Sequence, residues 1–317
     1  MLMRGAHFEP LSRPVATWTN LTSFVAPAWE GDQVPGLPAP DALRASLVVR
    51  LRAAGCVFAE EEADVLLADF DGDIAALAAL AARRAAGEPL EYILGWAAFC
   101  GLRISVSPGV FVPRRRTEAL VREAVGALAD STDAAPVVVD LCCGSGAIAV
   151  AILAVAPTAD VYAAELDPAA VECARANVEP AGGRVLAGDL FDALPAALRG
   201  RVAMVVANAP YVPTDEVRFM PSEARDHEHR IALDGGADGT DLHRRIAADA
   251  PGWLAPGGHL LIETGRAQAA TTARFMTVVG LTARVIEDDD YDATVAIGTA
   301  VGGTAVSGAA PWHGPRR

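Results

Sequence analysis

From Pro136 onward, short apolar runs alternate with stretches of helical spacing, and this alternation constrains the fold more than any other feature of the sequence. The apolar runs predict strands at 137–141, 160–164, 184–187, 202–206 and 259–263. Helical stretches lie at 147–155, 168–177, 241–250 and 268–279. Alternating strands and helices favour a parallel, doubly wound α/β sheet. Two further runs, 284–287 and 294–298, predict an antiparallel pair that completes this sheet.

The rest of the chain divides by composition. Leucines and alanines at helical spacing predict a small domain of three short helices over residues 41–87. Alternating apolar residues at 102–106, and the run 110–112 after Pro108-Gly109, predict a β-hairpin linker within 88–113. The α/β domain then covers residues 114–300, with Thr117 as the N-cap of a first helix at 118–128. Residues 1–40 are predicted to be a poorly ordered extension and residues 301–317 a frayed tail.

Candidate functional residues follow the fourth strand of the α/β domain. The run 202–206 ends in Asn208-Ala209-Pro210-Tyr211, and Pro210 prevents the strand from continuing. Ligands of open α/β sheets bind at the carboxyl ends of the strands. The Asn208 amide offers one acceptor and two donors for a planar amide or amidine, and Tyr211 offers a stacking face. The motif by itself favours an ordinary strand-to-loop turn, and only the surrounding segments indicate a binding site.

Acidic residues and glycines follow the preceding strands. Asp140 leads into Cys142-Cys143-Gly144-Ser145-Gly146, a turn whose glycines allow close backbone approach to a ligand, although the fingerprint of a dinucleotide site is incomplete. Glu165 ends the next strand, where a carboxylate can bind ribose hydroxyls. Asp189 follows the third strand, where its carboxylate could accept a hydrogen bond from the adenine amino group. Three carboxylates would repel a pyrophosphate, whereas a cationic sulfonium cofactor would be tolerated.

Composition excludes several classes of function. The net charge of −14 argues against loose binding to nucleic-acid phosphates. No uncharged apolar stretch reaches the roughly 20 residues of a transmembrane helix. The first 40 residues contain no apolar core typical of a signal peptide, so we expect a cytoplasmic protein. The five cysteines lack metal-ligand spacing, which predicts reduced thiols and no metal site.

Several segments together resemble the HemK-type protein-(glutamine-N5) methyltransferases, which modify release factors or a ribosomal protein with S-adenosylmethionine. The matching segments occur in the family's order over residues 41–298: 88–95, Pro113-Arg114 to Glu118, 140–146, Glu165, Asp189-Leu190, 208–211, 232–239 and Glu263-Thr264-Gly265 with Gln268. The resemblance implies a Rossmann-like class I methyltransferase domain.

The resemblance also implies roles for individual residues. It assigns the cofactor site to Cys142, Cys143, Gly144, Ser145, Gly146, Glu165, Asp189, Leu190 and Asn208, with Asp140 fixing the loop. The acceptor glutamine would be held by Asn208, Ala209, Pro210 and Tyr211, of which Asn208, Pro210 and Tyr211 would be catalytic. The helical domain would help to select the protein substrate.

Two departures from the family's pattern are visible. Ala209 stands where the acceptor motif of the family has its first proline, and Arg115 and Arg116 replace a proline and a glutamate. The three adjacent arginines 114–116 are either a solvated surface or face a carboxylate or phosphate. These departures favour a related branch with its own protein target.

Other functions stay open at this point. An adenine amino-methyltransferase acting on nucleic acid would use a similar acceptor motif, but the acidic balance and the absence of a basic recognition region argue against it. A non-catalytic protein that binds S-adenosylmethionine is a second alternative, favoured by Ala209. A small-molecule methyltransferase is a third.

Overall fold

The computed structural model describes residues 40–301 except 69, 71, 131 and 132. The predicted extension before Pro40 and the predicted tail after Val301 therefore lie outside the described residues. None of the helices in the described part of the chain combines the length and apolar character that a bilayer-spanning segment needs.

The three predicted N-terminal helices are present. They are α1 (Pro40–Ala53), α2 (Ala59–Ala68) and α3 (Ile74–Ala85). Their leucines meet in one cluster because apolar residues at helical spacing fall on one face of each helix. A short fourth helix, α4 (Leu90–Leu94), follows and ends at Gly95, which adopts a left-handed conformation. The side chain of Arg84 on α3 is 7% exposed and pairs with both Glu62 on α2 and Glu223.

The predicted hairpin has a different first strand. Its strands are β1 (Trp96–Phe99) and β2 (Leu102–Ser105), joined by a turn at Cys100-Gly101, both of which have positive φ. The prediction that 110–112 pairs with β2 is wrong. The Val112 side chain instead packs in one small apolar cluster and the Val110 side chain in another. The Val110 carbonyl accepts a hydrogen bond from the buried Tyr92 hydroxyl.

The α/β domain has the predicted doubly wound architecture. Its strands are β3 (Val137–Leu141), β4 (Asp160–Glu165), β5 (Arg184–Ala187), β6 (Val202–Ala207), β7 (Leu254–Glu263), β8 (Leu281–Asp288) and β9 (Ala293–Ala300). They form one sheet in the order β5-β4-β3-β6-β7-β9-β8. The first five strands are parallel, and β9 pairs antiparallel with both β7 and β8, as predicted.

The α/β domain also contains helices, most of which cover the two faces of the sheet. They are α5 (Thr117–Ala129), α6 (Ala147–Val155), α7 (Pro168–Val178), α8 (Ser222–His227), α9 (Asp241–Asp249) and α10 (Ala269–Val278). Helices α5, α6 and α7 contribute to one core cluster, and α9 and α10 contribute to the other. Alternate strand residues such as Val138 and Val139 enter opposite clusters, because successive side chains of a strand point to opposite faces.

Register places the predicted functional residues together. Leu141 is level with both Ala164 and Ala207, and Ala207 is level with Ile262. Glu165, Asn208 and Glu263 therefore leave the sheet at the same edge. The segment 213–240 lies beyond this edge and contains α8 between two single turns of 3-10 helix.

Gly146 permits α6 to pack closely against α7. Its φ is +79°, and a Cβ at this position would collide with Val178 Cγ2. We expect Gly146→Ala to lower the free energy of unfolding by roughly 2–3 kcal/mol, from left-handed strain and steric overlap together. Urea unfolding measures this loss. The matched control is Gly126→Ala in α5, where no atom lies within 4 Å of the added Cβ, and a small gain in stability is expected.

Candidate active site

The turn after β3 is shaped by positive φ angles. Cys142, Gly144 and Gly146 adopt φ values of 56°, 56° and 79°. Asp140 is fully buried beneath the turn, and its Oδ2 accepts a hydrogen bond from Ala149 N of α6 at 3.1 Å. Burial raises the pKa of Asp140 to about 8, against the opposing effect of the Ala149 bond. Asp140 is thus tied to the first turn of α6, directly after the glycine-rich turn, and its role in fixing that turn stays a prediction.

Glu165 is held by backbone N–H groups. Its Oε2 accepts from Gly144 N at 2.8 Å, and its Oε1 accepts from Leu166 N at 2.7 Å and Asp167 N at 2.9 Å. These bonds fix the carboxylate against the glycine-rich turn and leave roughly one of its four lone-pair sites for a ligand hydroxyl. A carboxylate in this position is suited to a ribose.

Asp189, the predicted acceptor for the adenine amino group, forms an ion pair within the protein. Its Oδ2 accepts a hydrogen bond from Arg245 Nη2 on α9 at 2.7 Å. Leu190 follows with a φ of 50° and is buried. One oxygen of Asp189 is therefore occupied by an arginine that sequence analysis did not identify.

These groups surround one large cavity of about 760 Å³. Of the predicted site residues, the cavity is lined by Cys142, Cys143, Gly144, Ser145, Glu165, Asp189, Leu190, Asn208, Ala209, Pro210 and Tyr211. Asp140 and Gly146 lie outside the lining and support it from behind. No atom lies within 4 Å of a Cβ built on Gly144, so the turn leaves open space next to Glu165. The cavity is thus continuous from the glycine-rich turn to the Asn208 loop.

At the other end of the cavity, Asn208 leaves β6 with its amide tied to α5. Its Nδ2 lies 3.2 Å from Thr117 Oγ1. The structure places the N-cap of α5 at Arg116, so the prediction that Thr117 caps the helix is wrong. The Thr117 hydroxyl instead reaches Asn208, because the first turn of α5 abuts the end of β6.

Tyr211 stands beside Asn208 and is held from below. Its hydroxyl donates to Glu263 Oε1 at 3.5 Å, and the backbone carbonyl of Tyr211 accepts from Gln268 Nε2 at 2.9 Å. Burial raises the pKa of Tyr211 to about 12, and the charge of Glu263 adds to the rise. Tyr211 is therefore neutral at physiological pH and presents an uncharged ring.

The glycine-rich segment 232–239 packs directly on the Asn208 loop. Gly235 N donates to Val212 O at 2.8 Å, and a Cβ on Gly235 would come within 2.6 Å of Pro210 O. A Cβ on Gly239 would collide with Tyr211 O. These glycines permit the contact that fixes the backbone of the acceptor loop.

The three arginines 114–116 face groups of their own chain. Arg114 pairs with Glu228, which is buried and also accepts from Val112 N at 3.2 Å. The Nε of Arg116 lies 3.6 Å from Glu263 Oε1. Arg115 lies over the ring of Tyr291. The sequence allowed either a solvated surface or arginines that face a carboxylate. Arg114 and Arg116 each face a carboxylate of the protein itself.

His243 lies behind Tyr211, with their ring centroids 6.4 Å apart. The ring is fully buried; Nδ1 contacts Thr272 Oγ1 at 2.9 Å, and Nε2 has no partner among the described residues. Burial lowers the pKa of His243 to about 4, so the folded protein binds this proton less readily than the unfolded chain does.

We expect this histidine to make stability depend on pH. Because the folded pKa is depressed, its contribution is complete above the unfolded pKa of about 6.5 and is lost as the pH falls toward about 4. Between pH 7 and pH 5 the loss amounts to roughly 2 kcal/mol. Urea unfolding of wild type and His243→Leu at both pH values checks this. An equal pH dependence in the two proteins would contradict it.

Comparison with known proteins identifies the family. Residues 102–223 match the family model described as the methyltransferase small domain. The release factor glutamine methyltransferase of Geobacter sulfurreducens is 42% identical over 210 residues, which cover 66% of this chain and 72% of the relative. The enzyme of the same name from Bradyrhizobium diazoefficiens is 36% identical over 259 residues, 76% of this chain and 87% of the relative. The chain belongs to the release factor glutamine methyltransferase family.

Another relative is named for a different activity. The 4-amino-L-phenylalanine/4-methylamino-L-phenylalanine methyltransferase of Streptomyces pristinaespiralis is 40% identical over 201 residues, 62% of this chain and 68% of the relative. Similarity alone therefore relates the chain to both a protein-modifying and a small-molecule enzyme.

S-adenosylmethionine, the cofactor of the methyltransferase family, fits the residues of this cavity. The open space at Gly144 accommodates close approach of a ligand to the backbone, and the Glu165 carboxylate lies beside it. Acidic side chains line this end of the cavity, so a cationic sulfonium is favoured there. The family's expected cofactor site thus agrees with the chemistry of the lining.

The Ala209 departure from the family's motif is small in structural terms. Its side chain is 1% exposed and belongs to the core cluster that contains Val205 and Ile246. Ala209 thus both packs behind the loop and contributes to the lining of the cavity.

Two residues next to the family's acceptor motif were missed as functional candidates. Thr117 was interpreted as a helix cap, and Glu263 was noted only as part of a matching segment. Glu263 does carry a sequence signal, because it ends a strand of the parallel sheet as Glu165 does. Its contact with Tyr211, and that of Thr117 with Asn208, could not be read from residues so far apart in the chain.

Proposed function

We propose that this protein transfers a methyl group from S-adenosylmethionine to the side-chain amide nitrogen of a glutamine in a release factor. The observation that carries the proposal is the position of the Asn208 amide at the wall of the cavity that also contains the glycine-rich turn and Glu165. Its Nδ2 is occupied by Thr117, and its Oδ1 accepts no hydrogen bond from any described residue. The free oxygen suits an acceptor that presents an N–H.

The residues of the cofactor end have separate tasks in this proposal. The turn 142–146 lies against the amino-acid part of the cofactor, Glu165 binds ribose hydroxyls, and Asp189 and Leu190 flank the adenine. Arg245 fixes the carboxylate of Asp189. Bound there, S-adenosylmethionine supplies an electrophilic methyl group.

At the acceptor end, catalysis consists mainly of positioning. A carboxamide nitrogen is a weak nucleophile because its lone pair is delocalised into the carbonyl. Asn208 Oδ1 accepts one N–H of the glutamine and the backbone carbonyl of Ala209 accepts the other, which aims the nitrogen at the methyl group. The neutral Tyr211 ring packs on the amide plane of the glutamine.

The test is methylation of a purified release factor. The protein and labelled S-adenosylmethionine are incubated with the release factors of the same cell, and the products are digested for mass spectrometry. We expect one glutamine-containing peptide to gain the mass of a methylene group. Comparing the amount of N-methylglutamine in a deletion strain and its parent tests the same point in cells. Absence of this residue from both experiments would refute the proposal.

An aryl amine of a free amino acid is the second candidate acceptor, because a relative that is 40% identical is named for methylating such an amine. Parallel reactions with 4-amino-L-phenylalanine, nucleic acid and release factor separate the candidates by which pool gains label. Cofactor binding without label in any pool would favour a non-catalytic binding protein.

A further inference from the structure

Arg116 is a cationic side chain at the acceptor end of the cavity. It lines the cavity wall together with Asn208 and Tyr211. It directly precedes Thr117, whose hydroxyl lies 3.2 Å from Asn208 Nδ2, and its Cζ lies 6.0 Å from the centroid of the Tyr211 ring. A positive charge therefore stands next to the two side chains to which the proposed function assigns the acceptor nitrogen.

The guanidinium of Arg116 forms no hydrogen bond with any residue that the structure describes. Within that part of the chain it has one ion pair, with Glu263, whose Oε1 lies 3.6 Å from Arg116 Nε. The Glu263 side chain is 2% exposed, whereas that of Arg116 is 44% exposed, so the pair leaves much of the guanidinium uncovered. A guanidinium has five N–H donors and can bind a carboxylate through two of them. Arg116 thus retains donors for a ligand.

The other charged residues of the cavity lining are already hydrogen-bonded to the protein. Arg245, the second arginine of the lining, donates to Asp189 at 2.7 Å. The remaining carboxylates of the lining accept hydrogen bonds from side chains or backbone N–H groups, and they are Glu165, Asp167, Asp234 and Asp241. Among the described residues of this lining, Arg116 is therefore the charged side chain whose hydrogen-bonding groups are left for a ligand.

We propose that Arg116 binds a carboxylate that the acceptor presents close to its reacting nitrogen. The carboxylate accepts two N–H groups of the guanidinium, while the nitrogen group beside it contacts Asn208. Two sources share this chemistry: an aspartate or glutamate next to the target glutamine of a protein, and the α-carboxylate of a free amino acid. The inference rests on the proposed function, because Asn208 must face the acceptor nitrogen for Arg116 to lie beside the acceptor.

The first test compares acceptors that differ only in the carboxylate. One pair consists of release factor variants with aspartate or asparagine next to the methylated glutamine, and the other of 4-amino-L-phenylalanine and its carboxamide. We expect the wild type to favour the carboxylate member of one pair about tenfold in kcat/KM, as for a hydrogen bond to a charged group. The pair that shows the preference identifies the source of the carboxylate. Equal kcat/KM values within both pairs would overturn the proposal.

The second test asks whether Arg116 is responsible for this preference. Arg116→Gln is expected to abolish it, mainly through a higher KM for the carboxylate acceptor, and Arg116→Lys is expected to keep part of it. Arg115→Gln is the matched control, because it makes the same change at a residue that lies over the Tyr291 ring and outside the cavity lining.

A merely structural role for Arg116, as the partner of Glu263, predicts a different result. Loss of that contact would lower kcat/KM equally for the two members of a pair, because neither the carboxylate nor its amide is involved. Equal losses in Arg116→Gln, or a carboxylate preference that survives in this variant, would refute the proposal.

A third measurement does not require methyl transfer. Protein saturated with S-adenosylhomocysteine is titrated calorimetrically with the same acceptors. We expect the wild type to bind the carboxylate member of one pair about tenfold more tightly, and Arg116→Gln to bind both members alike. If the wild type methylates nothing, the proposed function fails while this difference in Kd still tests Arg116. Equal Kd values within both pairs for the wild type would contradict the proposal.

The same titrations separate the acceptor from the cofactor as the source of the carboxylate. We expect Arg116→Gln to change the Kd of S-adenosylhomocysteine by less than about twofold, because the guanidinium is assigned to the acceptor. A loss of about tenfold would instead assign the guanidinium to the cofactor's own carboxylate, and the proposal would be overturned.

Discussion

Asn208→Ala is expected to lower kcat for methyl transfer by about 100- to 1000-fold, the loss typical of removing one well-placed polar group from an active site. The variant loses the Asn208 side-chain oxygen, which the proposed function assigns to the N–H of the acceptor at the cavity wall. The cofactor end of the cavity, around Glu165, is untouched. The expected signature is therefore a lower kcat with little change in the Kd of the cofactor.

The measurement is steady-state methylation of the release factor, with cofactor binding by calorimetry and thermal unfolding as checks on the fold. Asn208→Asp makes a useful comparison, because it keeps acceptor oxygens but cannot donate to Thr117. We expect it to be less impaired than Asn208→Ala. Full activity in a folded Asn208→Ala protein would exclude the proposed role of this residue.

Most of the sheet could be predicted from sequence because its strands are buried on both faces. The run 137–141 contains only buried residues and is recovered with the same bounds in β3. The hairpin was predicted less well, since Val110 and Val112 alternate like a strand but follow Gly109, whose φ is +88°. Their burial comes from contacts with Tyr92 and α7, which no local pattern records.

Part of the candidate site could also be predicted, because the order of strands along the sequence shows where each strand ends. Parallel strands end at one edge, so Glu165 and Asn208 could be placed together from strand ends alone. The pairing of Asp189 with Arg245, and of Thr117 with Asn208, depends on how helices α9 and α5 pack on the sheet. Packing of this kind brings together residues that are distant in sequence, and the sequence gives no register for it.

The second large effect that we expect is a loss of cofactor affinity when Glu165 is substituted. Its two oxygens accept three backbone N–H groups, so the side chain both shapes the glycine-rich turn and presents a remaining lone pair to the ribose. A glutamine at this position has one acceptor oxygen and an NH₂ group, which would meet either Gly144 N–H or the Leu166 and Asp167 N–H groups as donor against donor.

We therefore expect Glu165→Gln to weaken binding of S-adenosylhomocysteine by about 10- to 100-fold, which corresponds to losing hydrogen bonds to a charged group. Calorimetric titration measures the Kd. Glu172→Gln is the matched control, because Glu172 lies on the exposed face of α7 and, among the residues that the structure describes, forms an ion pair with Arg175 alone. An affinity of Glu165→Gln equal to that of the control would show that the ribose does not bind at this carboxylate. The cofactor would then have to lie elsewhere in the cavity, and Asn208 would no longer be opposite its methyl group.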